Sequence, residues 1–255
     1  MRRIRVIPVL LLKKGGVVKS VKFKNHKYVG DPINAVKIFN EKEVDEIAII
    51  DIDASRENRA PNIAQIGEIA GEAFMPLAYG GGITKLDEVK EILYQGAEKV
   101  VLNASALQRP ELIEAAAGQF GSQSVVASID VKKTLFGKQK VYGDCGSKNT
   151  KRDPVEFARQ MESAGAGEIF LTSIDRDGTF EGYDLGLIQR VAEAVSIPVI
   201  ACGGAASVDD FRMAVESGAS AVAAGSLFVF HGPHRAVLIN FPEPDQLVES
   251  VFSHI

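Results

Sequence analysis

Two carboxylates and a glycine follow an apolar run in Ile169-Phe-Leu-Thr-Ser-Ile-Asp175-Arg-Asp177-Gly178-Thr179. An apolar run without polar alternation reads as a strand buried on both faces of a parallel sheet. In such sheets ligands meet the chain at the carboxyl ends of the strands. Asp177 can therefore reach a ligand there, although Asp and Gly are also ordinary turn residues. Asp130 ends a second run, Ala127-Ser-Ile-Asp130, where a carboxylate can give or take a proton. Gly81-Gly82 and Gly203-Gly204 each join a short strand, opened by Pro76 or Pro198, to a helix. Glycine lets a backbone come close to an oxyanion, and a helix N-terminus offers it free N–H groups. Gly225-Ser226 and Asn103-Ala104 close two further apolar runs. The chemistry suggested is phosphate binding around one or two acid–base groups.

The spacing repeats. Gly82 and Gly204 are offset by 122 residues, as are Asp53 and Asp175, and Ala104-Ser105 and Ser226-Leu227. The chain reads as two copies of one half, about 1–122 and 123–255. Phosphate sites at Gly82 and Asn103 and at Gly204 and Ser226 then imply a ligand with a phosphate at each end. Aligning Lys13-Lys14 with Lys132-Lys133 sets Asp130 opposite Leu11. A carboxylate pair can take one proton and give another, and leucine can do neither.

These residues need a frame of strand–helix units. Strands are expected over 4–12, 46–51, 76–79, 99–102, 124–129, 169–172, 198–201 and 221–224. Asp31-Pro32 and Asp153-Pro154 open helices in both halves, Asp as cap and Pro in the first turn. Further helices are expected over 62–70, 86–95, 110–118, 184–195 and 208–218, with a last one over 242–255. A basic loop is expected over 13–30, and a hairpin within 130–146 with its tip near Phe136-Gly137-Lys138. Eight such units make a single-domain α/β fold, a (β/α)8 TIM barrel spanning 1–255. An open doubly wound sheet is the alternative, and the half repeat favours the closed barrel.

Composition narrows the function classes. The 255 residues are 46% hydrophobic and 24% charged, with a net charge of −4, which argues for an ordinary globule and against a nucleic-acid footprint. The apolar start, Val6 to Leu12, is too short to span a membrane, and no signal peptide is evident. Two cysteines, Cys145 and Cys202, make no disulfide framework, so a cytoplasmic location is the default. His26, His231, His234 and His254 are not spaced as a zinc site, and neither a metal nor a cofactor is expected. Cys145 reads as a loop cysteine without an activating base.

Ile7-Pro8, Gly30-Asp31-Pro32, Asp51, Tyr79-Gly-Gly-Gly-Ile83, Gly121-Ser-Gln123, Ser128-Ile-Asp130 and Leu171 to Thr179 together resemble the cyclase subunit of imidazole glycerol phosphate synthase, an enzyme of histidine biosynthesis, over nearly the whole chain. The resemblance implies a half-repeated barrel that joins ammonia to a doubly phosphorylated substrate. A glutaminase subunit would dock on the N-terminal face, with ammonia passing through the barrel. The family's phosphate contacts would fall on Gly82, Asn103, Gly178, Gly204 and Ser226, with Ala104 in place of a phosphate-site threonine. Its catalytic groups would fall on Asp130, Lys19 and Asp177, and the second acid–base position on Leu11. Its charged ammonia gate would fall on Arg5, Glu46, Lys99 and Glu168, all of the expected type. Such a ring could also serve stability alone.

A kept inlet with an altered acid–base pair resembles a paralogous branch of bacterial surface-polysaccharide pathways, as does the ending Phe228 to Asn240. There the barrel and its glutaminase would feed a sugar amidotransferase. Three readings follow: an ammonia-delivering subunit for sugar amidation, a working cyclase that tolerates Leu11, or a non-catalytic scaffold that docks a glutaminase.

Overall fold

The computed structural model describes residues 3–232 and 234–254. Eight parallel strands pair in closed order: β1 (Arg5–Lys13), β2 (Ile47–Asp51), β3 (Leu77–Gly80), β4 (Lys99–Leu102), β5 (Val125–Lys133), β6 (Glu168–Ser173), β7 (Val199–Cys202) and β8 (Ala221–Ala224). Ala221 to Ala224 then pair with Arg5 to Pro8 and close the ring. The architecture is the (β/α)8 barrel. The run Ala221–Ala224 is buried at every position, because helices cover one face and the barrel interior the other.

The helices are α1 (Pro32–Glu41), α2 (Ile63–Glu72), α3 (Leu86–Tyr94), α4 (Glu111–Phe120), α5 (Pro154–Ser163), α6 (Leu185–Ala192), α7 (Val208–Glu216) and α8 (Pro244–Ser250). Side-chain caps fix several starts. Asp31 accepts from Asn34 N–H (2.9 Å) and Asp153 from Val155 N–H (3.0 Å), each ahead of a proline in the first turn. Asn62 and Asp184 cap α2 and α6 in the same way. Such caps satisfy backbone donors that the helix itself cannot.

Two apolar clusters result. One lies between the barrel and its helices and includes Phe39, Phe157 and Phe211. The other fills the barrel interior and is built largely from small or branched residues, among them Ile7, Val9, Ala48, Ala78, Ala221 and Ala223.

Several sequence expectations need correction. The segment after β1 is a β-hairpin, Gly16–Val21 paired with Lys24–Gly30, whose first strand also pairs antiparallel with the end of β1. Its second strand is largely exposed and rich in lysine, so no alternation marked it. A short helix, Ala104–Gln108, precedes α4. The closing helix runs only over Pro244–Ser250, with a tight turn at Phe252–His254; Ile255 lies outside the described residues. The expected hairpin after β5 is present, with Val131 to Lys133 paired to Gln139 to Val141. Among the described residues no helix is long and apolar enough to cross a membrane.

Candidate active site

The strand starts bring four charges together. Arg5 opens β1, Glu46 precedes β2, Lys99 opens β4 and Glu168 opens β6. Arg5 donates to Glu46 (2.6 Å) and to Glu168 (2.6 Å), and Lys99 donates to Glu46 (2.8 Å) and Glu168 (3.2 Å). The result is a closed ring of alternating sign across the floor of the barrel, where each cation touches both anions. Burial works against the Arg5 charge, yet its two carboxylate partners hold its pKa above the usual value. Above the ring stands the interior cluster, with Leu11, Ile50 and Cys202 packed against its upper end.

At the other end the strand termini and their loops surround a cavity. Its wall includes Leu11, Lys19, Gly82, Asn103, Asp130 and Asp177, and also Ser226. Asp130, near the end of β5, accepts from Asn103 Nδ2 (3.1 Å). Lost hydration and the nearby Asp177 carboxylate raise its pKa to about 7, against the help of Thr172 and Asn103. Asp177 is itself raised by lost hydration, despite accepting from Ser20 Oγ (2.9 Å) and facing Lys19. Lys19 is buried and donates to the carbonyl of Val9. Its burial lowers the pKa to about 8, although Asp177 pulls it upward. A carboxylic acid near 7 and an amine near 8 are both poised to exchange protons at neutral pH.

The glycines divide. Gly82, at φ +73°, lies in the cavity wall, and a Cβ there would stand 2.5 Å from the carbonyl of Arg59. Only glycine fits that turn. Gly178 and Gly204 are buried but lie outside the cavity wall. The carbonyl of Ser20 covers Gly178, where a Cβ would approach it to 2.2 Å. The hairpin after β1 is thus seated on the loop after β6. Lys22 N–H donating to Asp177 O (2.9 Å) completes that seat.

Asp53 is not in the cavity wall. Burial raises its pKa, but the Lys13 ammonium at 2.9 Å outweighs this and holds the carboxyl below its usual range. It is a paired structural charge. Asp51 accepts from the backbone of Asp53 and Ala54 and from Arg59. Cys145 lines the cavity, donates to Ile52 O (3.3 Å), and is pushed up to about 11 by burial and the Asp130 carboxylate. Burial pushes Cys202 up to about 12. Neither thiol is a ready nucleophile at neutral pH. Sequence reasoning missed His26, Arg56, Phe170 and Thr172, which also line the cavity. The parity of β6 sets Phe170 and Thr172 on the face opposite Ile169 and Leu171, but no residue type in the run marks which face is inward.

No group of three His, Cys, Asp or Glu among the described residues is arranged to hold a metal ion.

Comparison with known proteins agrees with this geometry. The family model described as histidine biosynthesis protein matches residues 5–234. A Pseudomonas aeruginosa protein provisionally named imidazole glycerol phosphate synthase subunit hisF2 is 56% identical over 248 residues, covering 97% of this chain and 99% of that one. A Vibrio vulnificus protein, provisionally named subunit hisF3 of the same enzyme, is 47% identical over 251 residues, 96% and 95% of the two chains. The imidazole glycerol phosphate synthase subunit HisF of Alkaliphilus metalliredigens is 45% identical over 228 residues, 89% and 90% of the two. A barrel with this floor and this mouth, matched along nearly its whole length, belongs to the HisF family of imidazole glycerol phosphate synthase cyclase subunits.

Proposed function

We propose that this chain is the ammonia-receiving barrel of a two-subunit glutamine amidotransferase, a divergent paralogue that supports amidation of a surface-polysaccharide sugar. One observation carries the reading: the four-charge floor is complete, while Leu11 stands in the cavity wall where a second acid–base group would be needed.

The glutaminase subunit sits on the N-terminal face. Phe74, between α2 and β3, and Tyr94, at the end of α3, are largely exposed at the strand-start end of the barrel and offer apolar contacts there. Ammonia enters between charges that already satisfy one another, so the ring does not trap it. The apolar interior admits neutral ammonia and rejects ammonium, which would lose its hydration without a counter-charge. Ammonia arrives beneath Asp130. Asp130 and Lys19 can each exchange a proton there, but the cavity lacks, at Leu11, the second carboxylate opposite Asp130 that ring closure requires. The ammonia therefore goes on to a separate acceptor.

A doubly phosphorylated ligand suits the mouth, with Gly82 and Asn103 facing one phosphate and Ser226 the other. Gly178 would join the second contact once the hairpin lifts from it, and Gly204 once the Gly182 carbonyl moves off it. The two-half reading has support from matched backbone angles: φ −80°, ψ 137° at Asp31 and φ −79°, ψ 137° at Asp153, and φ −115°, ψ −70° at Asn103 against φ −111°, ψ −70° at Gly225.

The test is turnover of the family's doubly phosphorylated substrate by the barrel alone, driven by excess ammonium at alkaline pH. No turnover is expected from the natural chain, with substrate still bound, and Leu11→Asp should gain turnover. A second reading is a working cyclase, favoured by the nearness of Asp177 to Asp130, which would let Asp177 act as the missing partner. Turnover by the natural chain that Asp177→Asn abolishes would select it.

A further inference from the structure

β5 carries Asp130 and then runs on past the barrel, turning back at Thr134 to Lys138 into the strand Gln139–Gly143. The turn is held by Thr134 N–H donating to Lys138 O (2.8 Å) and Gly137 N–H donating to Thr134 O (2.9 Å). At its base, Lys133 N–H donates to Asp175 (2.7 Å), which fixes the hairpin to the loop after β6. Leu135 and Phe136 occupy the tip at 102% and 92% exposure. Two adjacent large apolar side chains held in water on an ordered turn make a small exposed apolar patch.

The hairpin segment itself is basic, although Asp153, Asp175 and Asp184 lie against its base. Residues 131–152 hold seven Lys and Arg against one carboxylate, Asp144, in a chain whose net charge is −4. Lys133 and Lys138 flank the tip and are both exposed. With Lys140 and Arg190 they line a groove that runs from the hairpin to α6, in which Asp153 and Asp184 also lie and Asp153 pairs with Lys140 (4.0 Å).

We infer that this tip is the docking point for a second protein, the enzyme that accepts the ammonia, which presents an apolar socket for Leu135 and Phe136 within an acidic rim. The inference rests on the conduit reading above. A protein seated on this rim covers the outlet and keeps ammonia from water. A membrane pressed on the same rim would close the outlet and supply no acceptor. The glutaminase is excluded by place, since its face is the opposite end of the barrel.

Photo-crosslinking in cells of the source organism, with Phe136 replaced by p-benzoylphenylalanine, tests it. One protein adduct is expected. That protein, once purified, should bind the complex of barrel and glutaminase and form its amide with glutamine as the sole nitrogen donor. The paired substitutions L135S/F136S and K133E/K138E should each weaken binding at least ten-fold, the second less so at high salt, with glutaminase stimulation unchanged within two-fold. An adduct with lipid, with a second copy of this chain or with the glutaminase would overturn the inference. So would no adduct, an adduct protein that forms no amide, or equal binding by L135S/F136S. Loss of glutaminase stimulation in the natural chain would instead sink the conduit reading, and the crosslink would still report what the tip touches.

Discussion

Asp130 and Leu11 both face the cavity, one able to hold a proton and one not. Burial and the Asp177 carboxylate push the Asp130 carboxyl up to about 7 in the folded chain, against about 4 when unfolded. Between those values the folded chain binds the extra proton. Stability from this group is therefore fully present below about pH 4 and is lost as pH rises toward 7, with no further change above. Asp177 is shifted in the same direction and adds to the same loss. Asp130→Asn is expected to melt roughly 5 °C above the natural chain at pH 8 and no higher at pH 4, by calorimetry. An equal difference at both pH values would mean that Asp130 is not held protonated by its surroundings. Asp130 was legible because its run ends in a single carboxylate. Phe170 and Thr172 were not, because β6 is apolar on both faces. Ile169 and Leu171 join the outer cluster and Phe170 the inner one, and composition does not say which parity points inward.

The eight barrel strands were legible because their two buried faces leave runs such as Lys99–Leu102 and Ala221–Ala224 without polar alternation. The hairpin after β1 escaped for the opposite reason. Its outer strand is Lys24-Asn-His-Lys-Tyr-Val-Gly30, polar and exposed, and its turn places Lys22 and Phe23 at positive φ. What secures it is tertiary: Ser20 and Lys22 on Asp177, and Gly178 beneath the Ser20 carbonyl. Gly178→Ala puts a Cβ into that carbonyl at φ +68° and should cost about 1–3 kcal/mol in chemical denaturation. Limited proteolysis should then cut faster at Lys22 and Lys24. Unchanged cutting would show that the hairpin is held elsewhere. Ser20→Ala should leave stability within about 1 kcal/mol but raise the Asp177 pKa further, which carboxyl chemical shifts against pH would report.

At the scale of the whole molecule the barrel interior joins the floor ring to the mouth. Glu46 is buried, and Arg5 and Lys99 are both bound to it. Lys99→Met leaves two carboxylates to share one guanidinium. It should cost about 2–4 kcal/mol, read from urea denaturation, and, on the proposed conduit reading, the same variant should uncouple glutamine hydrolysis from amide formation. A neutral loss of stability would mean that the ring is not tightly desolvated. The apolar column from Ile7 to Phe170 also has an isotopic consequence. If the barrel conducts ammonia as proposed, nitrogen inside its apolar interior forms a pool separate from the nitrogen outside it. With 15N in the glutamine amide and unlabelled ammonium in excess, the amidated product should keep nearly all the heavy isotope. Its dilution in the Lys99→Met chain would measure how far the two pools have come to mix.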